Sequence, residues 1–189
     1  MKLIVGLGNP GKEYLNTRHN VGFSFLDYYL DHINNSDKWT KKFDGEYIEL
    51  LFHGEKVIFF KPQTYMNLSG IAVGKIMRYY HISVDDLFVI SDDLDLNVGN
   101  FKLKSSGSCA GHNGLRNIED NLGTDKYKRL KIGISKSDDI DKKDYVLGNF
   151  SSADQKLLDD LFIKLCSVLD DYFSLPFGDL MSKYNRKNR

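Results

Sequence analysis

Five polar side chains in this chain have the types and positions that hydrolysis requires. Asn9 and His19 follow the first apolar run of the sequence, across a loop that holds three glycines and a proline. Asn67 follows a predicted hairpin, Asp92 follows a second apolar run, and Asn113 opens a predicted helix. Ligands of open α/β sheets bind beyond the carboxyl ends of the strands. We therefore expect these five residues to share one pocket.

The chemistry that such a set can perform is attack by an activated water. A neutral histidine can take a proton from water, and this step contributes about 10²–10⁴-fold to a rate. A carboxylate on the second ring nitrogen fixes the tautomer and stabilises the imidazolium. Asparagine amides and backbone N–H groups stabilise a tetrahedral oxyanion, where one donor is worth about 3 kcal/mol.

Among the five histidines, only His19 combines a preceding glycine-rich loop with a following predicted helix. His53 lies in a predicted turn, and His32 and His81 lie near predicted helix ends, where a structural role is usual. His112 opens a helix within a Gly-His-Asn-Gly segment, and we interpret it as a structural or loop-fixing residue. His19 is therefore the candidate base.

Two other kinds of site use the same segments. Gly6, Gly8 and Gly11 match the dinucleotide pattern G-x-G-x-x-G, but a proline lies inside the turn and no acidic residue follows a second strand at the usual distance. Cys109 and His112 would form a thiol nucleophile with its base only if the pKa of the thiol were lowered. We interpret Cys109 as a small residue that fills a tight loop.

The elements that must position these residues alternate between strands and helices. Apolar runs and alternation predict strands at residues 2–7, 46–52, 56–61, 87–90, 100–104 and 128–134. Helical spacing predicts helices at 21–33, from 67 to about 81 with Asn67 as the candidate cap, at 112–122, after a capping-box-like segment at 151–154, and after Pro176. The expected fold is a single α/β domain whose twisted, mixed and mostly parallel sheet is sandwiched between α-helices.

Length and composition support one domain that covers residues 1–189, with residues from about 184 to 189 frayed. The chain is 41% hydrophobic and 28% charged, which provides for a sizeable core. A formal net charge of +0 argues against a histone-like binder but is compatible with a local basic face. Cys109 and Cys166 have neither metal-type nor disulfide-framework spacing. The first apolar run is too short for a signal peptide, and we expect a cytoplasmic protein.

Four segments together resemble bacterial-type peptidyl-tRNA hydrolases. They are GLGNPGKEYLNTRHNVG, KPQTYMNLSG, SDDLDLNVG and SGSCAGHNGLRNI, and their order and spacing extend the likeness from residue 2 to about 148. That family hydrolyses the ester between a peptide and the 3′-terminal ribose of tRNA. The resemblance implies the same reaction here on peptidyl-tRNA, by a monomer that needs neither a metal nor a cofactor.

The resemblance also implies roles for the polar set. His19 matches the catalytic base, and Asp92 matches the carboxylate that orients it. Asn9 matches the amide that reads the substrate near the scissile ester and separates blocked from free aminoacyl-tRNA. Asn67 and Asn113 match amides that position substrate and water.

Further positions match the substrate-binding surface of the family. Tyr14, Tyr65 and Met66 match the wall on which the tRNA end and the peptide rest. Lys102 and Lys104 alternate along one predicted strand, and Arg129 and Lys131 along another, so each pair shares a face. The resemblance places Lys104 and Lys131 near a phosphate clamp for the 5′ end of tRNA, whereas without it such lysines usually form a solvated face. The basic tail at Lys183, Arg186, Lys187 and Arg189 adds at most diffuse attraction.

The chain departs from the family pattern at a few positions. Ser91 stands where a histidine or larger residue is common, and Ala110 stands where a glycine is usual. Because alanine tolerates positive φ poorly, we expect a φ below zero at Ala110 or a slightly shifted loop. The motif match selects Asp92 over Asp93, which we interpret as a turn or solvent residue.

Two other functions remain as alternatives at this point. A non-catalytic RNA-binding relative would share the fold, although the intact set of one His, one Asp and three Asn argues against it. A hydrolase of another acyl ester would use the same base without tRNA.

Overall fold

A seven-stranded mixed sheet forms the centre of the fold. The computed structural model describes residues 1–185. The strands are Lys2–Gly6 (β1), Thr40–Lys42 (β2), Gly45–Phe52 (β3), Glu55–Pro62 (β4), Leu87–Asp93 (β5), Phe101–Lys104 (β6) and Lys128–Gly133 (β7). Their order across the sheet is β2-β3-β4-β1-β5-β7-β6.

Five of the seven strands run in the same direction. β1 pairs in parallel with both β4 and β5, and β5 pairs in parallel with β7. The pairs β2–β3, β3–β4 and β6–β7 are antiparallel. The central strands β1 and β5 therefore end side by side, with Gly6 opposite Ile90. This is the edge at which the sequence places Asn9, His19 and Asp92.

Helices cover both faces of the sheet, as the sequence predicts for a single α/β domain. The α-helices are Val21–His32 (α1), Ser69–Tyr80 (α2), Asn113–Leu122 (α3), Lys142–Val146 (α4), Ser152–Tyr172 (α5) and Phe177–Asn185 (α6).

Alternation along the strands divides the apolar side chains between two cores. Ile4 of β1 packs in the core with α1 and α5, and its neighbours Leu3 and Val5 pack in the core with α2 and α3. Both cores are built from fully buried aliphatic and aromatic residues, and burial of this kind is the main favourable term in folding. The sheet edge that carries the polar residues is thereby held between two rigid layers.

Most predicted elements are present, with four differences. The short strand β2 and the helix α4 were not predicted from the sequence. Asn67 does not cap α2, because it lies inside a 3₁₀ turn and Leu68 holds the cap position. The expected fraying is wrong for Tyr184 and Asn185, which are helical, and residues 186–189 lie outside the described part of the chain.

The long helix α5 begins as its sequence predicts. The Ser151 side-chain oxygen accepts a hydrogen bond from the backbone N–H of Asp154 at 3.1 Å. Among the helices of residues 1–185, none has both the length and the apolar character needed to cross a membrane.

Candidate active site

Close backbone packing brings His19 to the end of β5. A Cβ on Gly6 would lie 2.5 Å from the carbonyl oxygen of Gly22, and one on Gly22 would lie 2.6 Å from that of Ile90. Only glycine permits α1 to start so near the ends of β1 and β5. His19 lies in the 3₁₀ turn directly before α1, and this approach sets it beside Asp92.

Asp92 forms hydrogen bonds with two histidines. Nδ1 of His19 lies 2.8 Å from Oδ2 and 3.0 Å from Oδ1 of Asp92. Nε2 of His112 lies 2.8 Å from Oδ1. An ionised carboxylate only accepts hydrogen bonds, so both ring nitrogens donate. Neutral His19 therefore carries its proton on Nδ1 and keeps a lone pair on Nε2, which is the form that a general base requires.

The carboxylate and the His19 imidazole favour each other's charged forms. Burial lowers the pKa of His19, but the charge of Asp92 and its hydrogen bond raise it, and the net direction is above the ordinary value of 6.5. Burial likewise raises the pKa of Asp92, yet His19 and His112 outweigh it and hold this pKa well below its usual range. Asp92 is thus ionised at neutral pH and stabilises a proton on His19.

His112 is the helix cap of α3 as well as a partner of Asp92. Its Nδ1 accepts hydrogen bonds from the backbone N–H groups of Gly114 at 3.1 Å and Leu115 at 3.3 Å. Both ring nitrogens are therefore occupied, and the neutral Nε2–H tautomer is the one that fits. The predicted loop-fixing role is present, but the sequence analysis missed the contact with Asp92.

This arrangement also decides against a thiol nucleophile at Cys109. Cys109 does line the same cavity as His112. A base for the thiol needs a free ring nitrogen, and His112 has none. The dinucleotide alternative fails on geometry too, because the glycine loop is followed by the short 3₁₀ turn Lys12–Tyr14 and not by a helix that could receive a pyrophosphate.

Asn9 is fixed from two sides. Its Oδ1 accepts a hydrogen bond from the backbone N–H of Met66 at 2.7 Å. Its backbone N–H donates to Oδ1 of Asn20, and its carbonyl accepts from Nδ2 of Asn20, both at 2.9 Å. The Nδ2 group of Asn9 is what remains to donate to a ligand. The sequence did not predict the role of Asn20. Its position next to His19 is the only sequence feature that could have indicated it.

The polar residues line one cavity of about 610 Å³, within the usual range for ligand sites. All five candidate catalytic residues line it, and so do Tyr65, Met66 and Lys131. His19 and Asp92 are largely buried in its floor, whereas Asn67 and Asn113 are exposed. Tyr14 is not among the lining residues and is half-buried outside the cavity.

The helix α4, which the sequence did not predict, forms part of the cavity wall. Its residues Lys142, Lys143 and Val146 line the cavity. Arg18 holds this helix, because its guanidinium donates to the carbonyl of Tyr145 at 3.0 Å and stacks over the Tyr145 ring at 4.0 Å. The residue before His19 therefore fixes the cavity wall. Asp141, whose side chain caps α4 through the N–H of Lys143, was the available sequence signal.

Four predicted cations occupy one face of the β6–β7 pair. The register sets Lys102 opposite Lys131 and Lys104 opposite Arg129. Burial and then the neighbouring cations lower the pKa of Lys104, so an anion placed there would relieve repulsion. Lys131 is nearly buried and lies 3.5 Å from Asp93.

Arg129 is not part of an exposed basic face, and that expectation is wrong. It is fully buried, and its guanidinium donates to the carbonyls of Ser108 and Asp125 and to Glu119. The alternation of residues along a strand predicts on which face of the sheet a side chain lies, but it does not predict which elements cover that face. Here α3 and its flanking loops cover this part of the face.

Two expectations near the site also require correction. Ala110 has a φ of 49°, which excludes the expected negative φ and leaves a slightly shifted loop as the other alternative. Asp93 is more than a turn or solvent residue: it accepts from the N–H of Asp95, pairs with Lys131 and lines the cavity. Ser91 is fully buried, and its hydroxyl has no hydrogen-bond partner among the described residues.

In the described part of the chain, the residues that could hold a metal are His19, Asp92 and His112, whose ligand atoms lie within 4.8 Å of one another. The sequence spacing did not indicate this cluster. In the arrangement described above, the ring nitrogens that face Asp92 carry protons. A metal ligand needs a deprotonated nitrogen, so in this arrangement these ring nitrogens act as hydrogen-bond donors to Asp92 and not as metal ligands.

Comparisons with known proteins agree on one family. A family model described as peptidyl-tRNA hydrolase matches residues 3–189. The peptidyl-tRNA hydrolase of Listeria monocytogenes serotype 4a is 42% identical over 188 residues, which are 99% of this chain and 100% of the relative. That of Lacticaseibacillus casei is 43% identical over 187 residues, or 98% and 100%. A crystal structure of peptidyl-tRNA hydrolase from Acinetobacter baumannii, at 35% identity, superposes with a TM-score of 0.87 and covers 100% of this chain and 94% of that one.

Proposed function

Because the chain belongs to the peptidyl-tRNA hydrolase family, we propose that it hydrolyses the ester between the peptide and the 3′-terminal ribose of peptidyl-tRNA, with His19 as the general base and Asp92 as the residue that orients it. The observation that carries this proposal is the hydrogen bond of 2.8 Å between Nδ1 of His19 and Asp92. It leaves Nε2 of His19 as the basic atom at the cavity.

The proposed reaction has two steps. A water gives a proton to Nε2 of His19 while its oxygen attacks the ester carbonyl carbon, and the carbonyl oxygen becomes an oxyanion. Asp92 stabilises the imidazolium that forms. The intermediate then collapses, the bond from carbon to the ribose oxygen breaks, and His19 returns its proton to that oxygen. The products are a free carboxylate peptide and tRNA.

The asparagine amides are proposed to stabilise the negative charge that develops on the carbonyl oxygen. Nδ2 of Asn9 is the donor whose position is fixed, because Met66 and Asn20 hold the rest of that residue. Donors that are held in advance stabilise an oxyanion without reorganisation. Asn67 and Asn113 lie on the exposed part of the cavity lining, where they would contact the substrate on either side of the ester.

The proposal extends to the partner and setting of the enzyme. Lys102, Lys104 and Lys131 would contact tRNA phosphates, with Lys131 partly neutralised by Asp93. The proposed chemistry needs only His19, Asp92, water and amides, so the proposal includes independence from metals. We also propose that the enzyme acts as a monomer in the cytoplasm, where peptidyl-tRNA arises.

The test is hydrolysis of N-acetyl-aminoacyl-tRNA by the wild-type chain in the presence of EDTA. We expect release of the N-acetyl-amino acid and no release from unblocked aminoacyl-tRNA. Binding of tRNA without release would favour the RNA-binding alternative. An undiminished rate on an N-acetyl-aminoacyl ester without the tRNA body would favour a hydrolase of other acyl esters. Loss of activity with EDTA would contradict the metal-independent chemistry.

A further inference from the structure

The last described residue of the chain is bonded to the strand that carries two of the candidate phosphate-binding lysines. Oδ1 of Asn185 accepts a hydrogen bond from the backbone N–H of Leu103 at 2.9 Å. Nδ2 of Asn185 donates to the carbonyl oxygen of Leu103 at 3.0 Å. One side-chain amide thus satisfies both backbone groups of one strand residue, 82 positions away in the sequence.

The strand in question is an edge strand and needs such a partner. β6 has only four residues, and within residues 1–185 β7 is its single neighbour in the sheet. The backbone groups of Leu103 that Asn185 bonds are those that point away from β7. An edge strand with unpaired groups is prone to fray or to pair with another chain. The amide of Asn185 therefore takes the place of a missing neighbouring strand at the middle of β6.

The helix that presents Asn185 is itself anchored. Tyr184 is buried, and its hydroxyl donates to Asp171 of α5 at 2.6 Å. Lys183 pairs with the same carboxylate at 2.6 Å. The end of α6 is consequently fixed to α5, and Asn185 meets β6 from a rigid support and not from a loose tail.

Leu103 lies between the two lysines in question. Its own side chain is buried in the core below the sheet, so Lys102 and Lys104 project from the opposite face. Their backbone positions depend on how straight and how firmly paired β6 remains. A change in the twist of one strand residue moves the tips of both long side chains.

We infer that Asn185 is a positioning residue for RNA binding, which holds β6 in place so that Lys102 and Lys104 meet tRNA phosphates at a fixed spacing. The inference rests on the proposed function, because it assumes that these lysines contact the tRNA part of the substrate. It adds a residue at the opposite end of the chain from His19, outside the cavity and without contact to the reacting atoms.

The experiment compares Asn185→Ala and Asn185→Leu with the wild-type chain on N-acetyl-aminoacyl-tRNA. Both variants remove the two hydrogen bonds, and leucine keeps the side-chain volume. We expect KM to rise about threefold to tenfold, the effect of losing one or two exposed ion pairs, while kcat stays unchanged. Amide hydrogen exchange at Leu103 should accelerate in both variants, and exchange at Leu130 of β7 should not.

Three controls separate positioning from general loss of structure. Asn35→Ala removes a half-buried asparagine near the far edge of the sheet and should leave KM unchanged. On an N-acetyl-aminoacyl ester of a short CCA oligonucleotide, which lacks the tRNA body, Asn185→Ala should match the wild type. In a chain that already carries Lys102→Ala and Lys104→Ala, adding Asn185→Ala should not raise KM further.

The outcomes distinguish this inference from the proposed function. A wild-type chain that releases nothing from the blocked substrate overturns the proposed function. An active wild type with an unchanged KM in Asn185→Ala, despite faster exchange at Leu103, overturns only the inference. Normal KM in Asn185→Leu together with a raised KM in Asn185→Ala would also overturn it, because packing and not hydrogen bonding would then be responsible.

Discussion

Asp92 contacts two histidines that are not equivalent. His112 uses its second ring nitrogen to cap α3, so it has no lone pair to offer. His19 has a second nitrogen without a hydrogen-bond partner among the described residues, and His19 lines the cavity. The same carboxylate therefore anchors one ring and, in the proposed mechanism, activates the other. The cap of a helix decides which histidine is available as a base.

The pH dependence of the reaction follows from this pair. Only neutral His19 can accept a proton from water, so kcat/KM should fall as the pH decreases through the pKa of His19. Because Asp92 raises this pKa, the midpoint of the fall should lie above the ordinary value of 6.5. Asp92→Asn removes the charge that raises the pKa and leaves the burial that lowers it. The midpoint should then move to lower pH, while the plateau drops by about 10³–10⁴-fold because the amide favours the wrong tautomer.

The measurement is kcat/KM against pH for the wild type and Asp92→Asn on the same blocked substrate. Asp95→Asn is the matched control, since Asp95 is exposed and has no contact with a histidine among the described residues. A midpoint that stays at the same pH in Asp92→Asn would show that another group controls the rate.

At the scale of single residues, sequence could identify the candidates but not all their contacts. His19, Asp92 and Asn9 follow strand ends, and such positions converge in any open α/β sheet. The bond from His112 to Asp92 joins two loops whose relative position depends on how α3 packs. The side-chain amide of Asn20 holds the backbone of Asn9 through two hydrogen bonds, and no periodic pattern in the sequence indicates such contacts.

Arg129 illustrates the scale of elements, because it joins three of them. Its guanidinium bonds the Ser108 loop, the Asp125 loop and Glu119 on α3. It also stacks over the ring of Tyr127 at 4.2 Å. A buried cation with these partners stabilises the loop that leads to His112 and does not contact RNA.

Replacing Arg129 should therefore affect stability before binding. Arg129→Met leaves Glu119 and two carbonyls without their partner, and we expect the free energy of unfolding to fall by about 3 kcal/mol. Urea denaturation followed by circular dichroism measures this loss. Arg116→Met, which replaces an exposed arginine of α3, should change the stability by less than about 0.5 kcal/mol.

A second readout separates the two roles of Arg129. In the folded variant, the dependence of KM on salt should match the wild type. If Arg129→Met had a stability close to that of the wild type and a weaker dependence of KM on salt, Arg129 would belong to the RNA-binding face after all.

The elements themselves were largely predictable, and the exceptions have physical reasons. Strands β1, β4 and β5 contain continuous apolar runs, which is typical of strands buried on both faces, whereas β7 alternates apolar residues with Arg129 and Lys131. β2 is a three-residue exposed strand with no apolar pattern to reveal it. α4 is a five-residue helix held by Arg18 and not by an apolar stripe. The order at Tyr184 and Asn185 comes from α5 and β6, so it cannot be read from the tail alone.

At the scale of the whole molecule, a neutral chain has to bind a polyanion through a small part of its surface. The 26 basic residues are matched by 26 acidic ones, so the overall charge provides no long-range attraction. In the proposed function, the face formed by Lys102, Lys104 and Lys131 accounts for most of the salt-dependent binding. Lys104 lies at the crowded centre of that face, where like charges lower its pKa.

Removing this one charge should have a measurable effect on binding. Lys104→Ala should raise KM for peptidyl-tRNA with little change in kcat, and the slope of log KM against log salt should shrink by about 1. Lys41→Ala, the same change on the strand at the opposite edge of the sheet, is the control. Equal salt slopes in the two variants would contradict a localised phosphate clamp.

The most direct test of the central claim is single-turnover hydrolysis of N-acetyl-aminoacyl-tRNA by His19→Ala, with tRNA affinity measured in parallel. The account predicts a rate lowered by about 10²–10⁴-fold and an unchanged affinity, because His19 acts on water and not on the RNA. His32→Ala, an exposed histidine at the end of α1, should retain the full rate. A rate near that of the wild type in His19→Ala would contradict the account and require another base in the cavity.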